Sequence, residues 1–164
     1  MNQALLSSQN DCWETPPDLF ATLDEVYEFD IDVCATPENA KCQRYFTPEQ
    51  DGLAQDWEGQ TCWMNPPYGR QIKAWVKKAY TESLKGALVV GLLPARTDTS
   101  WFHDYIKGKA VTIFLRGRLK FVGARHNAPF PSMIAVWHPK EDCEIGLHPA
   151  LVNLERDRAE LENQ

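Results

Sequence analysis

Hydrophobic residues recur at helical spacing in two long stretches of the chain, residues 16–29 and residues 72–85. The first stretch opens with a proline pair, which a helix tolerates in its first turn, and the second stops before Gly86. A shorter helix is predicted over residues 101–107, because the polar residues just before it can cap a helix. The predicted apolar faces consist of Leu19, Phe20, Leu23 and Tyr27 in the first helix, and of Ile72, Trp75, Val76 and Ala79 in the second.

Shorter alternating or apolar runs between these helices predict strands. The run over residues 87–93 is unbroken, as in a strand buried on both faces, and residues 111–122 are predicted to form two strands that turn at Gly117. Strands separated by helices favour an α/β fold with a mainly parallel sheet and right-handed crossovers, completed here by a C-terminal antiparallel hairpin. The remaining strands are predicted over residues 29–35, 61–65 and 133–138.

Length and composition predict one domain over residues 1–164, with residues 1–12 and 150–164 flexible or peripheral. No apolar run approaches the roughly 20 residues of a membrane span, and the first residues do not resemble a secretion signal, so we expect a cytoplasmic protein without a membrane partner. The five cysteines include no C-x-x-C pair, which favours reduced, buried thiols over a zinc site at Cys34 and Cys42. The aromatic content is compatible with a monomer or a homodimer.

Charge is distributed unevenly along the chain. Residues 70–125 contain twelve basic and three acidic residues, a net charge of +9 in a chain whose total is -6, so the remainder carries -15. Because electrostatic forces are screened beyond about 10 Å, a separate basic surface can bind a phosphate backbone although the whole molecule is acidic. A nucleic acid is therefore a candidate partner, and ordinary solvated helix faces are the alternative.

The tetrapeptide N-P-P-Y, residues 65–68, follows directly on a predicted strand. Ligands of α/β sheets bind outside the carboxyl ends of the strands, which is where this tetrapeptide lies. Pro66 and Pro67 each fix φ near -65° and donate no backbone hydrogen bond, so they form a rigid bend. This bend can direct the side-chain oxygen of Asn65 and the carbonyl oxygen of Pro66 at one planar NH2 group, while Tyr68 offers a ring on which an extruded base can stack.

The chain resembles the phage DNA N-6-adenine-methyltransferase (Dam-like) family. N-P-P-Y is the catalytic motif of amino-methyltransferases that use S-adenosylmethionine, and the resemblance extends from about Trp13 to Trp137. It implies a Rossmann-like methyltransferase fold and an adenine-specific DNA methyltransferase in which Asn65, Pro66, Pro67 and Tyr68 are catalytic. The stretches that resemble the family are residues 13–20, 29–53, 63–69, 92–103, 114–123 and 128–137.

The resemblance also implies a set of residues around S-adenosylmethionine. Asp32 corresponds to the acidic position that binds the methionine ammonium group, with a solvent-facing strand residue as the alternative. Thr15 is equally compatible with a helix cap, and Asp51 can bind the cofactor adenine or ribose or can instead stabilise the turn at residues 49–52. The full set of implied cofactor residues is Trp13, Thr15, Pro16, Asp32, Cys34, Ala35, Asn39, Asp51 and Asn65.

One feature of the family pattern is missing. The residues after the first predicted strand, 32–42, contain no G-x-G turn, so the way in which the cofactor is held does not follow from a glycine-rich loop. The absence of this pyrophosphate fingerprint also argues against a flavin or nicotinamide dinucleotide.

The substrate side of the predicted site is basic. We expect Arg96, Arg116, Arg118 and Lys120 to contact DNA phosphates or bases, with surface ion pairs as an equal alternative for the arginines. Three other functions remain open: methylation of adenine in RNA, methylation of a protein glutamine amide, and DNA binding by a non-catalytic methyltransferase fold. Cytosine N4 presents the same planar-nitrogen chemistry, although the resemblance implies adenine.

Overall fold

A five-stranded sheet organises the part of the chain that the structure describes. The computed structural model describes residues 12–139, 149–152 and 154, and within them the strands pair in the order β1-β2-β3-β5-β4. The strands are β1 (Ile31–Asp32), β2 (Thr61–Met64), β3 (Leu88–Pro94), β4 (Val111–Phe114) and β5 (Ser132–Trp137). Each lies within or overlaps a segment for which the sequence predicts a strand.

The sheet is mixed, so the prediction of a mainly parallel sheet is wrong. β1 and β2 are parallel, as are β2 and β3, but β5 runs antiparallel to both β3 and β4. An unbroken apolar run indicates a strand that is buried on both faces, and β3 and β5 are almost entirely buried. Such a run carries no information on direction, because strand direction depends on which neighbour the strand meets.

The predicted hairpin over residues 111–122 is also wrong. Only its first half forms a strand, β4, which pairs with β5 across the long connection of residues 115–131. Gly117 does turn the chain, with φ of 70°, but the residues that follow do not return along β4. Instead, Leu119 and Phe121 enter the core, and the N–H of Val122 donates to the carbonyl of Glu14 at 3.1 Å. We call residues 115–131 the connecting loop.

The two helices predicted from hydrophobic spacing and the shorter helix predicted from its capping residues are present. They are α1 (Pro17–Tyr27), α2 (Ile72–Ser83) and α3 (Ser100–Tyr105), followed by a single turn, α4 (Pro149–Val152). The predicted apolar face of α2 is buried throughout, and α1 buries Leu19 and Leu23. Thr99 caps α3, where its hydroxyl accepts from the N–H of Phe102. The hydrophobic pattern and the cap chemistry therefore predicted these elements correctly.

The core lies on both faces of the sheet. Trp57, Trp63 and Trp137 are almost fully buried, and nearly every residue of β2, β3 and β5 is inaccessible to solvent. In the described ranges, no helix has the length and apolar character that a bilayer crossing requires. Residues 1–12 and 150–164, which are predicted to be flexible or peripheral, lie almost entirely outside the described residues.

Candidate active site

The first two strands of the sheet end beside each other. Asp32 of β1 lies opposite Trp63 of β2, and the chain leaves β2 at Asn65. Because β1 and β2 are parallel, their carboxyl ends share one edge of the sheet. The topology therefore brings the acidic residue Asp32 close to the N-P-P-Y corner.

A cavity of about 660 Å³ opens at this edge. Its walls come from the segment before α1, from the chain that follows β1, and from the corner after β2. Pro66 and Pro67 are part of the wall. Of the residues predicted to surround the cofactor, those in the wall are Trp13, Thr15, Asp32, Cys34, Ala35, Asn39, Asp51 and Asn65.

Pro16 is the exception. It is buried and precedes α1 as the N-cap residue, where its carbonyl accepts from the N–H of Phe20 at 3.2 Å. The cap of α1 thus uses no side-chain hydrogen bond, and the alternative in which Thr15 caps this helix is not observed. Thr15 is 2% exposed, and its hydroxyl bonds to Asn65 instead.

The Asp32 carboxyl is buried but well supplied with donors. Its Oδ1 accepts from the N–H of Cys34 at 3.2 Å, and its Oδ2 accepts from the N–H of Lys41 at 3.0 Å. Burial raises the pKa of Asp32 to about 6, and these backbone bonds together with the Lys41 charge oppose that rise. The carboxyl lies in the wall of the cavity and is not a solvent-facing strand residue, and a pKa of about 6 leaves it mostly ionised at neutral pH.

Hydrogen bonds, and no glycine-rich turn, hold the chain in place after β1. The side-chain oxygen of Asn39 accepts from the N–H of Thr36 at 2.7 Å and so stabilises a turn. The chain then returns beside β1, where the N–H of Asp32 donates to the carbonyl of Arg44 and the N–H of Phe46 donates to the carbonyl of Asp32, both at 3.0 Å. These hydrogen bonds hold the segment after β1 against that strand, and the segment forms part of the cavity wall.

The next part of the wall contains Asp51 and Gly52. Asp51 adopts a left-handed conformation, with φ of 53°, and its Oδ1 accepts from the N–H of Leu53 at 3.2 Å to cap a 3-10 turn, Gly52–Ala54. Asp51 thus stabilises a turn, which is one of the two roles that the sequence left open. It also lines the cavity, and its contact with the cofactor stays a prediction. A Cβ on Gly52 would lie 2.1 Å from the carbonyl oxygen of Val33 and 2.9 Å from the ring of Trp75. Only glycine allows the chain to approach the segment after β1 this closely.

The Asn65 side chain is held at one end and unpaired at the other. Its Nδ2 donates to the carbonyl of Trp13 at 2.6 Å and to the hydroxyl of Thr15 at 2.9 Å. Its Oδ1 is buried and has no hydrogen-bond partner among the described residues. A buried acceptor without a partner is costly, and Asn65 belongs to the cavity wall, so we expect a ligand donor to pair with this oxygen.

Tyr68 is less accessible than the sequence predicts. It is 4% exposed, its hydroxyl donates to the carbonyl of Leu92 at 3.0 Å, and its ring packs edge-on against Phe121 and Phe130 of the connecting loop. A base can therefore stack on Tyr68 only if these two phenylalanines move. The stacking role of Tyr68 stays a prediction.

The predicted DNA-contact residues are exposed and lie around the connecting loop. Arg116, Arg118 and Lys120 belong to it, and the guanidinium of Arg96 lies 5.9 Å from the ring centre of Phe130 in the same loop. The salt bridges among residues 12–139 use other cations, those of Lys41, Lys78 and Lys85. The ion-pair alternative for the arginines therefore finds no support in the described part of the chain.

One cavity residue was assigned to the core on sequence alone. Trp75 lies on the buried face of α2 as predicted, yet it also lines the cavity, and its indole N–H has no partner among the described residues. Helical spacing identifies such a residue only as apolar, so no local signal separates it from its neighbours. Lys41 was missed as well, and its ammonium group lies 3.3 Å from the Glu14 carboxylate.

Cysteine chemistry does not contribute charge here. Burial raises the pKa of the Cys34 and Cys42 thiols to about 12, so both are neutral. Within the described ranges, no group of three or more His, Cys, Asp or Glu side chains is arranged to hold a metal ion.

These features define a class of protein. An α/β sheet carries a cavity at the ends of its parallel strands, and an N-P-P-Y corner forms part of the wall with its asparagine oxygen unpaired. This is the architecture of an α/β methyltransferase. The family described as DNA N-6-adenine-methyltransferase (Dam) matches residues 2–158, and the chain belongs to this family.

Two curated relatives illustrate the similarity. A protein of Haemophilus phage HP1 named DNA N-6-adenine-methyltransferase is 32% identical over 142 residues, which cover 81% of this chain and 82% of the relative. A protein of the same name from Escherichia phage T1 is 32% identical over 111 residues, which cover 66% of this chain and 46% of the relative.

Gly52→Ala tests the close approach in the cavity wall. The added methyl group would collide with the Val33 carbonyl, so we expect the free energy of unfolding to fall by about 1–3 kcal/mol and the affinity for S-adenosylmethionine to fall with it. Denaturant unfolding and calorimetric titration measure the two effects. Ala54→Ser, an exposed change in the same turn, is the control and should change neither. If Gly52→Ala changes neither the free energy of unfolding nor the affinity for S-adenosylmethionine, this contact does not have the role described.

Proposed function

We propose that this chain transfers a methyl group from S-adenosylmethionine to N6 of an adenine in double-stranded DNA. The observation that carries the proposal is the buried Oδ1 of Asn65, an acceptor without a partner at the start of the N-P-P-Y corner. Membership of the Dam family and the names of the phage relatives support the same reaction.

The cavity suits S-adenosylmethionine in size and in polar groups. Its volume falls in the range of about 300–1,000 Å³ that is common for small-molecule sites. Asp32 supplies an anion for the methionine ammonium group, and Asp51 has a second carboxylate oxygen for the ribose or adenine. Trp75 has an unpaired indole N–H for an acceptor of the ligand. When bound, S-adenosylmethionine supplies an electrophilic methyl group on a sulfonium.

The N-P-P-Y corner prepares the adenine nitrogen. The lone pair of an aryl amine is delocalised into the ring, so the amine is a poor nucleophile. Asn65 Oδ1 and the carbonyl oxygen of Pro66 accept its two N–H bonds and favour a pyramidal nitrogen with an available lone pair. Pro66 and Pro67 hold the acceptors in place without a rearrangement of the backbone. The surplus proton leaves to water after transfer, and no histidine is required.

Access to this corner requires a movement on the substrate side. Phe121 and Phe130 cover Tyr68, and both belong to the connecting loop, which also carries Arg116 and Arg118. Binding of DNA phosphates to these arginines draws the loop toward the DNA and away from Tyr68. The flipped adenine then occupies the space between Tyr68 and the cavity.

Incubation with labelled S-adenosylmethionine tests the reaction directly. Double-stranded DNA, RNA and a glutamine-containing protein are offered separately, and the products are identified by mass spectrometry of nucleosides and peptides. We expect N6-methyladenine in DNA alone. Methylation of RNA, of cytosine or of protein would change the substrate assignment, and a chain that does not bind S-adenosylmethionine in calorimetry is no methyltransferase.

Asn65→Ala tests the catalytic corner. The change removes one acceptor for the adenine amine, and loss of one preorganised hydrogen bond of this kind costs about 100-fold to 1,000-fold in rate. We expect such a loss in the turnover number, with the dissociation constant of S-adenosylmethionine nearly unchanged. Equal losses of rate and of cofactor affinity would assign Asn65 a structural role only.

The Asp32 carboxyl predicts a pH dependence of cofactor binding. Because burial raises its pKa to about 6, the carboxylate that binds the ammonium group is present above that pH and is lost as the pH falls through it. Affinity for S-adenosylmethionine should fall about tenfold between pH 7 and pH 5, as measured by calorimetry. 5′-Methylthioadenosine has no ammonium group and is the control, since its affinity should not vary. The same fall for both ligands would exclude Asp32 as the cause.

Salt titration tests the DNA-binding surface. If the connecting loop binds phosphates, affinity should fall steeply with salt, and Arg116→Ala should lower the slope of log K against log salt by about 1. Arg44→Ala, which removes an exposed arginine beside the other edge of the sheet, should leave the slope unchanged. If the affinity of the unmodified chain for DNA does not change with salt, the connecting loop does not bind DNA phosphates.

A further inference from the structure

The orientation of the Asn65 amide is decided by groups outside the N-P-P-Y corner. The carbonyl oxygen of Trp13 accepts from Nδ2 at 2.6 Å, and the hydroxyl oxygen of Thr15 accepts from the same nitrogen at 2.9 Å. A carbonyl oxygen can only accept a hydrogen bond, so Nδ2 and not Oδ1 must face Trp13. With the nitrogen committed, Oδ1 is left as the free acceptor.

The two orienting groups are themselves firmly placed. Thr15 is 2% exposed and is followed by Pro16, the N-cap residue of α1. The ring of Trp13 packs against Phe121 and Phe130, with ring centres 5.2 and 5.3 Å apart. The segment is also tied to the connecting loop by the hydrogen bond between Val122 and Glu14. These contacts fix the segment, so Trp13 and Thr15 cannot easily shift to accommodate a rotated Asn65 amide.

From this geometry we infer that Trp13 and Thr15 are positioning residues that hold the Asn65 amide with Oδ1 free for the adenine amine. Neither residue needs to touch the substrate, because both act through Asn65. This inference rests on the proposed function for its consequence in catalysis, but its structural content concerns the ligand-free chain. It gives Thr15 a different task from that of an S-adenosylmethionine contact or of a helix cap.

Thr15→Val is the informative substitution. Valine keeps the shape of threonine but cannot accept a hydrogen bond, so one of the two bonds that hold Nδ2 is lost. Loss of such a hydrogen bond corresponds to about a tenfold change in the population of the productive orientation. We expect the turnover number to fall about tenfold, with the dissociation constant of S-adenosylmethionine changing much less. Thr15→Ser keeps the hydroxyl and should restore the rate to within about threefold.

Thr22→Val serves as the matched control. Thr22 lies in α1, where its hydroxyl donates to the carbonyl of Asp18 at 3.0 Å, far along the chain from the corner. The same chemical change at this position should affect neither turnover nor the Asn65 amide. Thermal unfolding of all variants separates a local effect from loss of the fold.

Nuclear magnetic resonance of the ligand-free chain tests the same inference without catalysis. The Asn65 side-chain NH2 signal is assigned by its disappearance in Asn65→Ala. In the unmodified chain its protons should exchange slowly with water, and Thr15→Val should speed exchange about tenfold while Thr15→Ser should not. Unchanged exchange and unchanged turnover in folded Thr15→Val would overturn the inference.

The two readouts distinguish its failure from that of the proposed function. If the unmodified chain methylates no substrate but Thr15→Val still speeds exchange of the Asn65 NH2 protons, the positioning is correct and the reaction assignment is wrong. If DNA is methylated and Thr15→Val changes neither readout, the reaction stands and Thr15 is not a positioning residue.

Discussion

The candidate site depends on the hydrogen bonds between the Asn65 amide nitrogen and the segment before α1. These bonds join parts of the chain that are far apart in sequence, and they leave one buried oxygen without a partner. An unpaired buried oxygen is unfavourable in the free protein. In the proposed reaction the adenine amine donates to this oxygen, so the cost is recovered when the substrate is bound.

The parallel and antiparallel halves of the sheet position different parts of the site. The parallel half, β1 to β3, brings the ends of β1 and β2 together and so creates the cavity. The antiparallel half, β5 and β4, sends the connecting loop over the other side of the N-P-P-Y corner. Tyr68 lies where the two meet, bonded to β3 through Leu92 and covered by two phenylalanines of the loop. In the proposed function, cofactor and substrate therefore reach this corner from different structural elements.

The cavity wall also shows how a methyltransferase site can be built without a glycine-rich turn. In the dinucleotide-binding motif, glycines let a helix and its backbone donors approach the ligand closely. Here the carboxylate of Asp32 is supplied with N–H donors from Cys34 and Lys41, and a single glycine, Gly52, allows the close approach of a second loop. Side chains such as Asp51 and Trp75 line the cavity beside them.

Local patterns were sufficient to predict the helices, the strands at residues 61–65 and 87–93, and the N-P-P-Y corner at a strand end. They succeeded because helical spacing, caps and proline geometry act over a few residues. The family resemblance added the predicted cofactor residues, of which all but Pro16 line the cavity. Strand direction, the course of residues 115–131, the burial of Tyr68 and the double role of Trp75 could not be predicted in this way. Each of these depends on which distant segment a residue meets, and such pairings are decided by the packing of the whole chain.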